Sequence, residues 1–315
     1  MQNQNISARI PLPALRATFS PGEGMRLRRN IIPEVSPMLL RSIVLFALVA
    51  AAITGLPMDI FENTAWLWAY PLLSLGFALL GLIAALGYLM YLCNRVDLEA
   101  EQETDDPFYR RMTELYLDSI VSAVRISIHK KGMNKLPEQG RFLLVCNHCS
   151  NADPILLLRE FAGHQIAFIS KKENKHLFVV GPMMHKILCQ LIDRENDREA
   201  LKTIIKCIKI LKEDKASIGV FPEGGISKPD RKLHRFRPGV FKIAQKAGVP
   251  IVVCTMKNTK NVIPNMAKYR HTDVDLHLVK VIPAQELIGV TTAEIAERVY
   301  QIMAQDLGPE NVAEE

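Results

Sequence analysis

The chain has 315 residues, of which 49% are hydrophobic, 7% aromatic and 23% charged, with a mean hydropathy of +0.09. This composition excludes a disordered or collagen-like chain, six cysteines are too few for a disulfide-built scaffold, and so apolar an average points to a segment in lipid. The net charge of +6 is concentrated at the start, where Arg9, Arg16, Arg26, Arg28, Arg29 and Arg41 face only Glu23 and Glu34; the nearly neutral remainder argues against a nucleic-acid binder.

Residues 1–37, which hold five of these arginines, form a basic arm. The uncharged run SIVLFALVAAAITGLPM follows Arg41. Counted from Met38 it predicts a helix of about 21 residues, roughly 31 Å, enough for a hydrocarbon core of about 30 Å. A second uncharged stretch supports another helix, with Pro71 suited to its start and Leu92 near its end. Trp66, Trp68 and Tyr70 lie at one end of that stretch and Tyr88 and Tyr91 at the other, the belt that a water–lipid boundary selects. Residues 38–94 therefore read as two transmembrane helices, with a hairpin entering one leaflet as the alternative. Arginines flank the pair, and the connector carries only Asp59 and Glu62, which puts both chain ends in the cytoplasm. There the cysteines should be free thiols.

Residues 95–114 begin acidic and read as a linker. Met112, Leu115, Tyr116, Ile120, Val121 and Val124 recur with helical spacing at the entrance to a domain over 115–306, leaving 307–315 as a flexible tail. Buried-strand runs are predicted at 141–146, 165–170, 217–222 and 249–256, and an alternating, edge-type strand at 273–282. Helices are predicted at 154–161, 199–213 and 240–247, with a last one opened by a capping box from Thr291 to Glu294. Along 201–213, Lys202, Lys206, Lys209 and Lys212 mark the solvated side, and Leu201, Ile204, Ile205, Ile208 and Leu211 the core side. Alternating strands and helices define an α/β fold with a mixed, mostly parallel sheet flanked by helices, behind the membrane hairpin.

In such folds chemistry collects beyond the carboxyl ends of strands. Three polar clusters sit there. Asn147-His148-Cys149-Ser150-Asn151-Ala152-Asp153 follows the first buried strand. Asp153 there can hold the His148 imidazole so that its far nitrogen accepts a proton, or can simply cap the helix that Pro154 begins. Cys146 and Cys149 lack a second pair for zinc and do not open a helix as a redox dithiol would, so they read as packing residues and no metal site is expected. Phe221-Pro222-Glu223-Gly224-Gly225 lets backbone N–H groups approach an anion, with Ser227, Lys228 and Arg231 close behind. Ile192-Asp193-Arg194, with Lys171 upstream, offers a guanidinium that can grip a phosphate or form an exposed turn.

In this order the clusters resemble the lysophospholipid acyltransferase family, whose pattern runs Asn-His-x4-Asp, Ile-Asp-Arg, Phe-Pro-Glu-Gly and Val-Pro-Ile. Here these are Asn147-His148 with Asp153, Ile192-Asp193-Arg194, Phe221-Pro222-Glu223-Gly224 and Val249-Pro250-Ile251. The resemblance implies that His148 is the general base toward an acceptor hydroxyl and that Asp153 orients it. Lys171, Arg194, Glu223, Gly224 and Gly225 would bind substrate. It implies an acyl-CoA or acyl-carrier-protein donor, a lysophospholipid acceptor drawn from membrane lipid, direct transfer without an acyl-enzyme, no cofactor, and a catalytic domain on the cytoplasmic side of the cell membrane. Where the family usually continues with Thr-Arg-Ser, this chain has Gly225-Ile226-Ser227. Either Lys228 or Arg231 stands in for the missing guanidinium, or the acceptor differs. A membrane-anchored thioester hydrolase and a non-catalytic anchored scaffold are the competing readings.

Overall fold

The computed structural model describes residues 38–58, 64, 66–226 and 232–313. The basic arm, the acidic connector with Asp59 and Glu62, and Ser227, Lys228 and Arg231 lie outside the described residues.

Two apolar helices come first, α1 (Met38–Gly55) and α2 (Trp66–Asn94), both long and apolar enough to cross a membrane. They pack side by side. Gly81 leaves room for Ile43, whose Cγ2 would stand 3.1 Å from a Cβ at that position, and Phe46 meets Phe77 edge to face at 6.4 Å. Pro71 lies inside α2 rather than at its start, since the helix opens five residues earlier. So near the N-terminus, proline forfeits one intrahelical bond and the helix continues. The Tyr116 hydroxyl of helix α3 (Pro107–Ala123) donates to the Ala85 carbonyl at 2.6 Å. The last turns of α2 thus run beside α3, and residues 66–84, roughly 29 Å of helix at the usual rise, project beyond it.

The expected linker is shorter than 95–114. Asp106 caps α3 by accepting the N–H groups of Phe108 and Tyr109 at 3.0 and 3.2 Å, with Pro107 in the first turn, so helix replaces the last eight linker residues. Buried Arg110 holds α3 down by donating to the carbonyls of Ile166 and Ile187 at 2.9 and 3.1 Å and pairing with Asp105.

Among the described residues seven strands form one sheet: β1 (Ile126–Lys131), β2 (Leu143–Val145), β3 (Ile166–Lys171), β4 (Gln190–Ile192), β5 (Ser217–Val220), β6 (Ile251–Lys257) and β7 (Thr272–Ile282). Their order is β1-β7-β6-β2-β5-β3-β4. All neighbours are parallel except β6 and β7. The sheet is therefore mixed and mostly parallel, as the strand–helix alternation predicts. β7 is not an edge strand: its alternation of buried and exposed residues records that one face is covered, while both of its edges are paired. The edges are β1 and β4, and Lys130 and Lys131 of β1 are exposed.

Two apolar clusters sandwich the sheet. One lies under α6 (Asp197–Lys212), α7 (Lys242–Ala247) and α9 (Thr292–Leu307); the other lies under α3, α4 (Asp153–Glu160) and α8 (Val262–Ala267). The short α5 (Val180–Lys186) packs against the end of α2. On α6 the buried stripe is Thr203, Cys207, Ile210 and Leu211, so Leu201 and Ile205 are exposed, contrary to the expected core side. The Thr203 hydroxyl donates to the Leu191 carbonyl at 2.8 Å, which turns that side of the helix onto β4. The segment expected to be a loose tail is also docked. Leu233 and Val312 form a parallel bridge, with N–H donations from Leu233 to Asn311 at 2.8 Å and from Ala313 to Leu233 at 3.0 Å.

Candidate active site

Strand register brings the three polar clusters to one height. Val145 pairs with Val220, Phe168 with Gly219, and Lys171 with Ile192. Counting onward, His148, Glu223 and Arg194 all emerge just past the carboxyl ends of β2, β5 and β4.

The loop after β2 is pinned before it reaches His148. Buried Asn147 donates from Nδ2 to the Met256 carbonyl at 2.9 Å and accepts the Met256 N–H at 2.8 Å, imitating a strand pairing to β6. The His148 N–H then donates to Glu223 Oε1 at 2.7 Å. Its ring lies on the Phe221 ring, centroids 4.1 Å apart and planes 16° from parallel, and Phe221 stacks in turn on Phe168 at 5.4 Å. Gly219 permits this stack, since a Cβ there would lie 2.5 Å from the Phe168 ring. Backbone and ring face are thus both fixed.

His148 Nδ1 lies 2.9 Å from Asp153 Oδ2, and the Asp153 side chain is wholly buried. The same oxygen accepts the N–H groups of Cys149 and Ser150 at 2.7 and 2.8 Å. This arrangement decides between the two roles open to Asp153. Ala152 holds the cap position and makes no side-chain cap bond, while Asp153 sits in the first turn of α4 with its carboxylate turned back to the histidine loop. With the carboxylate facing it, Nδ1 is the ring nitrogen placed to hold the proton. Among the described residues Nε2 makes no hydrogen bond, so it is the nitrogen able to accept a proton. The thiols beside it are poor nucleophiles: burial drives Cys146 well above the ordinary thiol range and, with the charges of Asp153 and Glu223, pushes Cys149 up to about 12.

Gly224 and Gly225 continue the loop after β5, Gly224 in the left-handed region at φ 82°. A Cβ at Gly224 would lie 2.7 Å from Arg237 Nε, and one at Gly225 2.8 Å from Arg194 Nη1. The double glycine therefore lets two guanidinium groups close in on one turn. Burial, and secondarily the like charge of Arg237, lowers the pKa of Arg194. Neither arginine forms an ion pair with a described residue. Arg194 is half-buried and Arg237 exposed, and two like charges brought to one turn are relieved by an anion between them.

Not every expected residue joins this group. Lys171 is exposed and its ammonium turns to Glu173 at 3.6 Å. Glu223 accepts the N–H groups of His148 and His234 on its two oxygens, at 2.7 and 3.3 Å, which makes it a clamp between two loops as well as a substrate-binding candidate. The sequence analysis held Asn147 and Phe221 within its motifs without giving either a role, and it missed Arg237. Arg237 stands twelve residues beyond Gly225 and reaches the loop only because its N–H donates to the Pro222 carbonyl at 2.8 Å.

The acyltransferase family pattern matches residues 127–257, which contain all three clusters. Three relatives, each described as a 1-acyl-sn-glycerol-3-phosphate acyltransferase, are 27% identical (Saccharomyces cerevisiae), 31% (Brassica napus, chloroplastic) and 30% (Bacillus subtilis). The matches cover 53%, 53% and 42% of this chain and 55%, 49% and 64% of those proteins. The chain thus spans about half the length of the curated relatives it matches. The crystal structure of a 1-acyl-sn-glycerophosphate acyltransferase from Thermotoga maritima shares the fold, with a TM-score of 0.53 at 21% identity over 70% of this chain and 86% of that one. In its motif order and over residues 127–257 the chain is similar to the acyltransferase family, and its mixed sheet shares the fold of the solved relative.

Proposed function

We propose that this protein transfers a fatty acyl group from acyl-CoA or acyl-carrier protein to the free hydroxyl of a lysophospholipid, with 1-acylglycerol-3-phosphate as acceptor and phosphatidic acid as product. The observation that carries the reading is the buried Asp153 carboxylate 2.9 Å from His148 Nδ1. Nε2 takes the hydroxyl proton as the acceptor oxygen attacks the thioester carbonyl. The C–S bond breaks, and the imidazolium returns its proton to the leaving thiolate. Asp153 stabilises the transient imidazolium, and the Phe221 face prevents the ring from swinging away. No side-chain nucleophile is required, and neither Cys146 nor Cys149 is suited to be one.

Arg194 and Arg237 then grip the acceptor phosphate, the double glycine providing the turn on which both converge. Arg237 takes the place of the guanidinium that Gly225-Ile226-Ser227 lacks relative to the usual family pattern. The two apolar helices anchor the chain in the cell membrane with the catalytic domain on the cytoplasmic side, where activated acyl donors are found and the acceptor is already in the bilayer.

The test is purified protein in bilayers with radiolabelled acyl-CoA and a panel of lysolipids resolved by chromatography. Label should move to 1-acylglycerol-3-phosphate and require it. His148→Ala should lower the rate at least about 10²–10⁴-fold, the usual range for a general base. Thioester consumption without acceptor would instead indicate a hydrolase, and near-unchanged transfer by a folded His148→Ala protein would overturn the proposal.

A further inference from the structure

Where α2 leaves the hairpin, the catalytic domain presents apolar side chains that its own core does not use. Phe108, Leu177, Phe178 and Val180 are 46, 48, 51 and 44% exposed. They surround one level of α2. The Tyr109 hydroxyl, next to Phe108, donates to the Leu92 carbonyl at 3.1 Å, and Cys93 Sγ lies 3.9 Å from the carbonyl of Val179.

The loop between β3 and α5 is also rigidly presented. Gly181 donates its N–H to the Leu177 carbonyl at 2.8 Å, and a Cβ on Gly181 would lie 2.1 Å from the Lys175 carbonyl oxygen, so the chain is folded tightly behind the exposed tip. Within about a turn and a half back along α2, Tyr88 and Tyr91 are exposed and stacked at 6.4 Å, an aromatic pair at the expected water–lipid boundary. An apolar tip held at that level, continuous with a helix that enters lipid, has one fitting occupant, the interfacial zone of the same bilayer.

We infer that the segment Leu177–Val180 is a second membrane contact, a collar that dips the catalytic domain into the headgroup region beside α2. The segment follows Lys171 at the carboxyl end of β3, the end that carries His148 and Arg194. The collar therefore holds the catalytic domain against the surface in which a lysophospholipid moves. This rests on the membrane anchoring proposed above and adds a contact that the hairpin alone does not require.

The experiment has a readout independent of turnover. The chain has two tryptophans, so Phe178→Trp in a Trp66→Phe, Trp68→Phe background is a single-tryptophan protein. In bilayers of lipids brominated at different depths, the introduced indole should be quenched by shallow bromines and shielded from aqueous iodide. Full iodide access with no bromine quenching would overturn the collar. In parallel, Leu177→Ser with Phe178→Ser should lower kcat/KM for acceptor presented in vesicles by about tenfold, the scale on which one large apolar side chain acts. The same variant should leave transfer to a monomeric short-chain acceptor unchanged. Equal effects in both presentations would overturn the role in lipid access. If unaltered protein transfers no acyl group to either acceptor while the introduced indole is quenched by shallow bromines, the collar stands and the proposed activity falls.

Discussion

Asp153 Oδ2 accepts from the His148 ring and from two backbone amides, so its charge matters more than its shape. In Asp153→Asn the side chain can present an N–H to Nδ1, which shifts the proton to Nε2 and removes the base. Transfer should fall by at least about 10² while the protein stays folded, checked by steady-state rates alongside a melting curve. The arginines should act on binding instead. Arg194→Ala or Arg237→Ala should each raise the acceptor KM by roughly tenfold or more, the worth of a charge-assisted hydrogen bond, and leave the donor KM unchanged. A raised donor KM would place that guanidinium in the other pocket. His148, Asp153 and Arg194 were legible because each lies in a short motif beside a strand. Arg237 was not, because its approach depends on a loop folding back twelve residues later and on a glycine with no Cβ to repel it.

At the scale of elements, the stack beneath the histidine depends on β5. Gly219→Ala would force a Cβ against the Phe168 ring at 2.5 Å and tilt Phe221 and His148 above it. A stability loss of about 1–3 kcal/mol is expected, with a fall in kcat, and pairing it with Phe168→Leu should restore part of both. Helix α9 opens with the capping box expected from Thr291 and Glu294, each side chain bonding the other's backbone N–H at 3.2 and 2.8 Å. Thr291→Ala should lower stability by about 1 kcal/mol in denaturant titration without altering turnover. Such caps are local and can be read from four residues. The pairing of β7 is not local: its alternating pattern reports one covered face, and nothing within its eleven residues says that β1 lies along its other edge. Likewise the stripe of α6 could be placed only within about a residue, because a polar Thr203, not a hydrophobe, turned out to face β4.

For the whole molecule, the hairpin and the α/β domain are joined by packing as well as by chain. Leu89, Leu92 and Cys93 of α2 form one apolar cluster with Met183, against which Tyr109, Met112, Tyr116 and Val179 pack. A fragment starting at residue 95 would expose that cluster. It should need detergent to remain monomeric in sedimentation velocity, whereas a domain merely tethered to its anchor would not.

From the sequence alone came the two apolar spans, the α/β alternation, the family resemblance and the His148–Asp153 pair, because each depends on periodicity or on residues a few positions apart. Only the tertiary structure decided which way the Asp153 carboxylate turns, that Arg237 joins Arg194 at the glycine turn, that the C-terminal segment is docked, and that Leu177–Val180 protrudes beside α2. Those features arise where segments distant in sequence meet, and the contacts that settle them are made by backbone groups and close approaches that no local pattern encodes.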